Sequence, residues 1–229
     1  TGLAARAQTA GRGRRGHTWD STAGNLLLSI VVRPNVNPAK YPGLAAVCGL
    51  AVLKTLEKQG LATEIDLKWP NDLVARGRKL GGILVEAARD NEGKPFAVCG
   101  IGVNVNYTPQ EVPDGGLPAI GLSDLNESLP SVDTLLDEAH RAVMDSVDAW
   151  AEQLNALADD AGPLAPVRDE YIARLKWIGE RVIARSPAGD ELARGIFKTV
   201  DDFGRASIET EDGLRSFHFE EASLRPLND

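Results

Sequence analysis

The run Leu26-Leu27-Leu28-Ser29-Ile30-Val31-Val32 carries no charge and is stopped by Arg33-Pro34. A continuous apolar stretch of strand length reads as a buried central strand, so the rest of the chain must build a sheet around it and lay helices on that sheet. Residues 44–59 form the first such helix. Leu44, Val47, Cys48, Leu50, Ala51, Leu53 and Leu56 recur at helical spacing, Lys54, Glu57 and Lys58 take the opposite side, and Gly60 is the stop.

Further strands follow. Residues 65–69 alternate apolar and polar side chains, and Leu73-Val74 leads through Arg76-Gly77-Arg78 into 80–86, which predicts a hairpin turning at Gly77. The next strand, 96–105, contains Gly100 and Gly102, and glycines inside a strand mark a place where something packs close to the backbone. Residues 107–129, rich in proline and glycine, read as an irregular excursion with one helical turn at 122–125. A long helix is predicted from Asp133 to about Leu157, with a shorter one over 167–175. From Trp177 the period changes to two. Strands at 181–185, 192–200, 205–210 and 214–219, separated by glycine and aspartate turns, read as a small β-barrel of SH3-like size. The fold class is therefore α+β: a mixed β-sheet with helices packed on it, 1–176, followed by a small SH3-like barrel, 177–229.

Composition narrows the function. The 229 residues are 43% hydrophobic with a formal net charge of −8, which supports a core and argues against binding DNA or membrane over the whole surface. Cys48 and Cys99 sit in apolar runs, as buried thiols do in a reducing compartment. His17, His140 and His218 are far apart, so zinc chemistry is not expected. No apolar run has the length of a membrane span and no signal-peptide pattern opens the chain, so a cytoplasmic protein is expected.

Against the acidic background stands Gly11-Arg12-Gly13-Arg14-Arg15-Gly16-His17-Thr18-Trp19. Three arginines in four positions repel one another, and the interleaved glycines let a backbone approach an anion closely. Guanidinium groups grip phosphate or carboxylate through paired donors, and Trp19 offers a face for a nucleobase. A solvated basic loop or a nucleic-acid tether is the alternative reading. The segment is neither a Walker loop nor a dinucleotide fingerprint. The second informative stretch is Lys68-Trp69-Pro70-Asn71-Asp72. Pro70 forces a turn that holds Asn71 and Asp72 at a strand end, where Asp72 is placed for Mg²⁺ or a ribose hydroxyl. Lys79 enters a buried strand, so its ammonium should meet a carboxylate or a phosphate.

Four motifs in order resemble the signature of biotin protein ligases. They are Gln8-Thr9-Ala10-Gly11-Arg12-Gly13-Arg14-Arg15-Gly16 with Trp19, then Lys68-Trp69-Pro70-Asn71-Asp72, then 78–86 with Lys79 and Gly81-Gly82, and finally 100–106 with Asn104. The resemblance covers essentially the whole chain. It implies a biotin/lipoate ligase-like catalytic domain, ATP and biotin as substrates with Mg²⁺, and a biotin carboxyl carrier protein or domain of a carboxylase as partner. It further implies that Gln8, Arg12, Gly13, Arg14, Lys79 and Gly82 bind biotin, and that Arg15, Trp19, Asn71, Asp72 and Asn104 bind ATP or the adenylate. Arg14 and Lys79 are then the catalytic residues, and Asp72 the residue nearest a metal. The loop is expected to be mobile when empty and clamped over the adenylate, with a homodimer open as a possibility.

There are departures. His17 stands where the family often has another arginine. By the resemblance the family's Ser-Thr-Asn segment is expected upstream of Thr1, and the chain is read as catalytic and C-terminal domains without a DNA-binding domain ahead of them. A lipoate ligase shares the chemistry and is the nearest rival. A nucleic-acid module built on the basic loop is the non-enzymatic one, opposed by the acidic residues Asp201, Asp202, Glu209, Glu211, Asp212, Glu220 and Glu221.

Overall fold

In the computed structural model, residues 1–16, 18–61, 64–109 and 116–227 are described. His17 and part of the irregular excursion, 110–115, lie outside them. In chain order the elements are β1 (Gly2–Ala4), β2 (Leu26–Val32), helix α1 (Leu44–Lys58), β3 (Ile65–Lys68), β4 (Asp72–Ala75), β5 (Arg78–Arg89) and β6 (Pro95–Val103). Helices α2 (Val132–Asn155) and α3 (Arg168–Ala173) follow. The chain closes with β7 (Arg181–Arg185), β8 (Glu191–Val200), β9 (Ala206–Thr210), β10 (Gly213–Phe217) and β11 (Ser223–Pro226).

The first sheet has the order β1-β2-β6-β5-β4-β3, so the uncharged run does occupy an interior position. Every ladder in it is antiparallel, and among the described residues parallel pairing is confined to two single bridges, Leu67 with Leu175 and Lys79 with Ala119. Register assigns the faces. Leu28, Ile101 and Ile83 stand abreast, as do Ile30, Cys99 and Val85, on the side against which α1 and α2 pack. The opposite side carries Leu27, Gly102 and Gly82 abreast, then Ser29, Gly100 and Leu84. That second side is only partly covered. Val31 there is 37% exposed, so β2 is central in the sheet but not buried along its whole length.

Cys48 on α1 and Cys99 on β6 are buried free thiols. A hydrogen bond with Cys99, reinforced by burial, pushes the Cys48 thiol well up. The long helix begins at Val132, one residue ahead of the predicted Asp133. Ser131, whose Oγ accepts from the Thr134 N–H at 3.0 Å, is its cap, and Asp133 sits in the first turn.

The second sheet runs β10-β9-β8-β7-β11, all antiparallel, with β10 and β11 as its edges. The expected barrel is thus an SH3-sized sheet that does not close among the described residues, and it contains a strand, β11, that the sequence pattern does not announce. Four residues ended by proline give the alternation too little length to show. This sheet is fastened to the first. Trp69 Nε1 donates to Gly204 O at 2.9 Å, Leu164 N to Asp202 O at 2.8 Å, and Arg168 pairs with Asp202 at 2.7 Å. No helix among the described residues is long and apolar enough to cross a membrane.

Candidate active site

Lys68 ends β3 and Asp72 opens β4, and antiparallel pairing puts them opposite each other, with Asp72 in turn opposite Gly82 of β5. An irregularity between Leu73 and Val74 then brings Lys79 across from Val74. The result is one carboxylate between two ammonium groups. Lys79 Nζ lies 2.7 Å from Asp72 Oδ1 and Lys68 Nζ 3.1 Å from Oδ2. Lys68 is 3% exposed and Asp72 13%, whereas Lys79 keeps 33% and faces the open side. Burial lowers Lys68 to about 8 despite the attraction of Asp72. Burial pushes Asp72 up, but Lys79 and Lys68 together outweigh it and hold the carboxyl well below its ordinary range. Arg225, itself lowered by burial, adds its charge from β11. Tyr171 Oη donates to Pro70 O at 2.9 Å, and burial followed by the Asp72 charge drives its phenol far upward, so it stays neutral.

A resident metal does not fit here. Both oxygens of Asp72 are engaged by cations, and among the described residues no group of three or more His, Cys, Asp or Glu is placed to hold an ion.

The arginine loop is closed at its base and turned back at its tip. Trp19 N donates to Gly11 O at 3.0 Å, Arg12 and Thr18 form an antiparallel bridge, and Ser21 Oγ donates to Gln8 Oε1 at 2.6 Å. A Cβ at Gly11 would stand 2.3 Å from both Ser21 Oγ and Trp19 O, so only glycine closes this base. At the tip Arg15 adopts φ 58°, ψ 31°, a left-handed conformation. Arg14 Nη1 donates to Asn71 Oδ1 at 2.9 Å and its Nη2 to Phe219 O at 2.7 Å, while Asn71 Nδ2 donates to Ile83 O at 2.6 Å. Burial, then the neighbouring Arg15, lowers Arg14, though not enough to remove its charge. A cleft of about 840 Å³ opens between the loop, the outer half of β5 and the second sheet, lined by Arg12, Gly13, Arg14, Arg15, Leu84 and Glu86 with Phe219 and Glu220 beyond.

The glycine expectation for β6 has a definite cause. A Cβ at Gly102 would lie 2.6 Å from Cε2 of Trp19, so the indole rests directly on this strand. Lys79 Nζ is 5.6 Å from the indole ring centre. Trp19 Nε1 is buried with no partner among the described residues, and so is Asn104 Oδ1. Asn104 Nδ2 donates to Ile120 O at 3.0 Å, which leaves Asn104 Oδ1 as an acceptor without a donor among the described residues. Unmet buried polar atoms cost free energy, and a ligand that supplies their partners recovers it.

The structure therefore brings together Arg14 with Asn71, Lys79 with Asp72 and Gly82, and Trp19 with Gly102 and Lys79. Gly82 has room above it, since a Cβ there would only touch Lys79 and Asp72 at 3.5 Å. Gln8 and Arg12 lie apart from this group, bonded to Ser21 and to Glu86 at 2.9 Å, and Arg15 is turned toward the second sheet. Two participants escape the sequence pattern. Lys68 reads there as a strand end, although a lysine inside Ile65-Asp66-Leu67-Lys68-Trp69 already hints at a buried charge. Asn25 reads as a turn residue, yet it is 2% exposed, and its Oδ1 accepts from the N–H groups of Val105 and Tyr107, fixing the segment that carries Asn104.

Comparison with known proteins is consistent along the chain. The model of the biotin/lipoate A/B protein ligase family matches residues 3–106, and that of the biotin protein ligase C-terminal domain matches 177–225. A biotin–acetyl-CoA-carboxylase ligase of Mycobacterium tuberculosis is 37% identical over 212 residues, covering 90% of this chain and 72% of the relative. An enzyme of the same name from Paracoccus denitrificans is 34% identical over 203 residues, covering 87% and 80%. Among solved structures, a biotin protein ligase from Aquifex aeolicus in complex with biotin and ATP superposes with a TM-score of 0.78 at 26% identity, covering 98% of this chain and 88% of that one. On this similarity, the chain belongs to the biotin protein ligase family.

Proposed function

We propose that the chain joins biotin to ATP, forming biotinyl-5′-AMP and releasing pyrophosphate, and then passes the biotinyl group to a lysine of a biotin carboxyl carrier domain. The observation that carries the reading is the placement of two cations, Lys79 and Arg14, on the pair Asn71-Asp72 beside a glycine-lined sheet face. In the first step a carboxylate oxygen of biotin attacks the α-phosphorus, and the bond to the pyrophosphate oxygen breaks. Two anions must meet, and Lys79 and Arg14 offset their repulsion and the charge gathering on phosphate. Asp72 acts as counter-ion to Lys79 and keeps it oriented. In the second step the ε-amine of the carrier lysine attacks the acyl carbon, AMP leaves with the bonding pair, and the amine loses its proton. No protein nucleophile is required.

Gln8, Arg12, Gly13 and Gly82 complete the biotin side of this reading. Arg15, Asn71, Asp72, Trp19 and Asn104 complete the nucleotide side, with Trp19 as the adenine face and Asn104 Oδ1 as acceptor for its amino group. Mg²⁺ belongs with the nucleotide in this scheme, since Asp72 has no uncommitted oxygen. The reading also includes a division into units 1–176 and 177–229, a cytoplasmic setting suited to two free thiols, and the open edge at β1 as the place for a homodimer. Nucleic acid has no role in it.

Biotin-dependent exchange of pyrophosphate into ATP tests the proposal. Exchange with biotin and none with lipoate is expected, exchange with lipoate alone reassigns the substrate, and binding to an oligonucleotide without exchange refutes the enzyme. Limited proteolysis of the arginine loop, expected to slow when biotin and ATP are both added, tests its closure.

A further inference from the structure

The two guanidinium groups at the tip of the arginine loop converge on a single peptide oxygen far along the chain. Arg14 Nη2 donates to Phe219 O at 2.7 Å and Arg15 Nη2 to the same oxygen at 2.8 Å. Arg15 also reaches Ala222 O at 3.4 Å. The Phe219 ring lies beneath Arg14, with the guanidinium carbon 5.2 Å from the ring centre. The other end of that guanidinium is on Asn71 Oδ1. Arg14 is therefore clamped between the catalytic sheet and the link joining β10 to β11.

That link is built to hold still. Glu221 N and Ala222 N donate to His218 O at 2.9 and 3.2 Å, and the Glu221 carboxylate accepts from His218 N at 2.8 Å, closing a hydrogen-bonded turn around Phe219. A glycine-spaced loop loses much conformational entropy on ordering, so its closed form depends on anchors of this kind. With its face stacked and one N–H on each of Nη1 and Nη2 committed to Asn71 and Phe219, the guanidinium is held in place by neutral partners and keeps its remaining donors and its charge for an anion, which an ion pair would not allow.

We propose that Phe219 is a positioning residue: its ring and carbonyl hold Arg14 against Asn71, so the C-terminal unit sets how long the loop stays closed over the adenylate. The inference rests on the adenylating reading above. Phe219 touches no reacting atom and acts through Arg14.

The test compares wild type with Phe219→Ala, Phe219→Tyr, Arg14→Ala and the double variant Phe219→Ala with Arg14→Ala. Each is given biotin and ATP, freed of excess, and followed for bound biotinyl adenylate over time. Phe219→Ala should shorten retention about three- to fivefold, the range expected for one partly solvated cation–π contact. KM for biotin should change by less than about twofold, because Gln8, Arg12, Lys79 and Gly82 still hold biotin when the Phe219 ring is lost, so the loss separates from substrate binding. Phe219→Tyr should restore retention, and Phe219→Ala should add nothing when Arg14 is already alanine. Wild-type retention in Phe219→Ala, or an equal loss in both backgrounds, overturns the inference while leaving the activity intact. Absence of any adenylate in wild type overturns the activity itself. Should the alanine variant unfold, Phe219→Leu, which keeps apolar volume without a π face, is expected to show the same loss, and full retention there refutes the role.

Discussion

Replacing Asp72 by asparagine removes the one anion between two lysines, and the cost can be worked from Lys68. Its ammonium is almost fully buried and titrates at about 8 in the folded protein against 10.5 ordinarily. Carrying that charge already costs the folded state roughly 3 kcal/mol relative to the unfolded chain. Because the folded value is depressed, the unfolded chain binds the extra proton between about pH 8 and 10.5, and wild-type stability through this group rises with pH across that window. Asp72 is depressed as well, so its contribution is present above about 3.8 and is lost only as acid approaches its lower folded value. In the asparagine variant Lys68 loses its partner, but it can release its proton. The Lys68 part of the loss is therefore capped at roughly one and a half kcal/mol for each pH unit below 8, about 3 kcal/mol at pH 6 and vanishing near pH 8.5, and it adds to a loss of the Asp72–Lys79 pairing that does not vary over this range. Urea midpoints of both proteins at those pH values, followed by far-ultraviolet circular dichroism, measure the difference. A deficit that does not change with pH, or no deficit at pH 6, would refute the buried pairing.

Three other substitutions test separate parts of the site. Lys79→Ala should cut biotin-dependent pyrophosphate release by about a hundredfold or more with the fold retained, and near-normal release would remove Lys79 from its assigned role. Gly102→Ala places a methyl group 2.6 Å from the Trp19 ring. The indole must move, so a changed tryptophan emission and about tenfold weaker adenylate binding are expected, with unaltered circular dichroism. Unchanged emission would mean that the ring does not rest there. Trp69→Phe deletes the indole donor to the buried Gly204 carbonyl, which should destabilise the protein by about 1–3 kcal/mol in urea titration. A midpoint equal to wild type would show that this bond does not fasten the two sheets.

The elements of the fold are mostly visible in local pattern. Seven uncharged residues at 26–32, a helical repeat from Leu44, a turn at Gly77 and one that falls at 211–212, a residue ahead of the expected 212–213, reach their observed places because burial and turn chemistry act over a few residues. The short final strand is not visible, since Ser223–Pro226 is too brief to show a period and is recruited by pairing with β7. The site residues are legible as types: arginines among glycines for an anion, Asn71-Asp72 behind a proline, and a lysine entering a buried strand.

Their partners are another matter. That Lys79 needs an anion follows from its own stretch of sequence, but that the anion is Asp72, shared with Lys68, follows from strand register and an irregularity at Leu73/Val74. That strand glycines admit a close neighbour follows from the absence of a Cβ, but that the neighbour at Gly102 is Trp19 depends on how the loop closes at Gly11. Most remote is the clamp on Arg14, whose two ends, Asn71 and Phe219, come together only when the second sheet docks on the first. The sequence by itself determined the secondary elements and the kind of chemistry, because propensity, periodicity and charge are properties of neighbouring residues. Only the tertiary structure decided which groups share a charge and what holds the loop, because those contacts join residues separated by much of the chain.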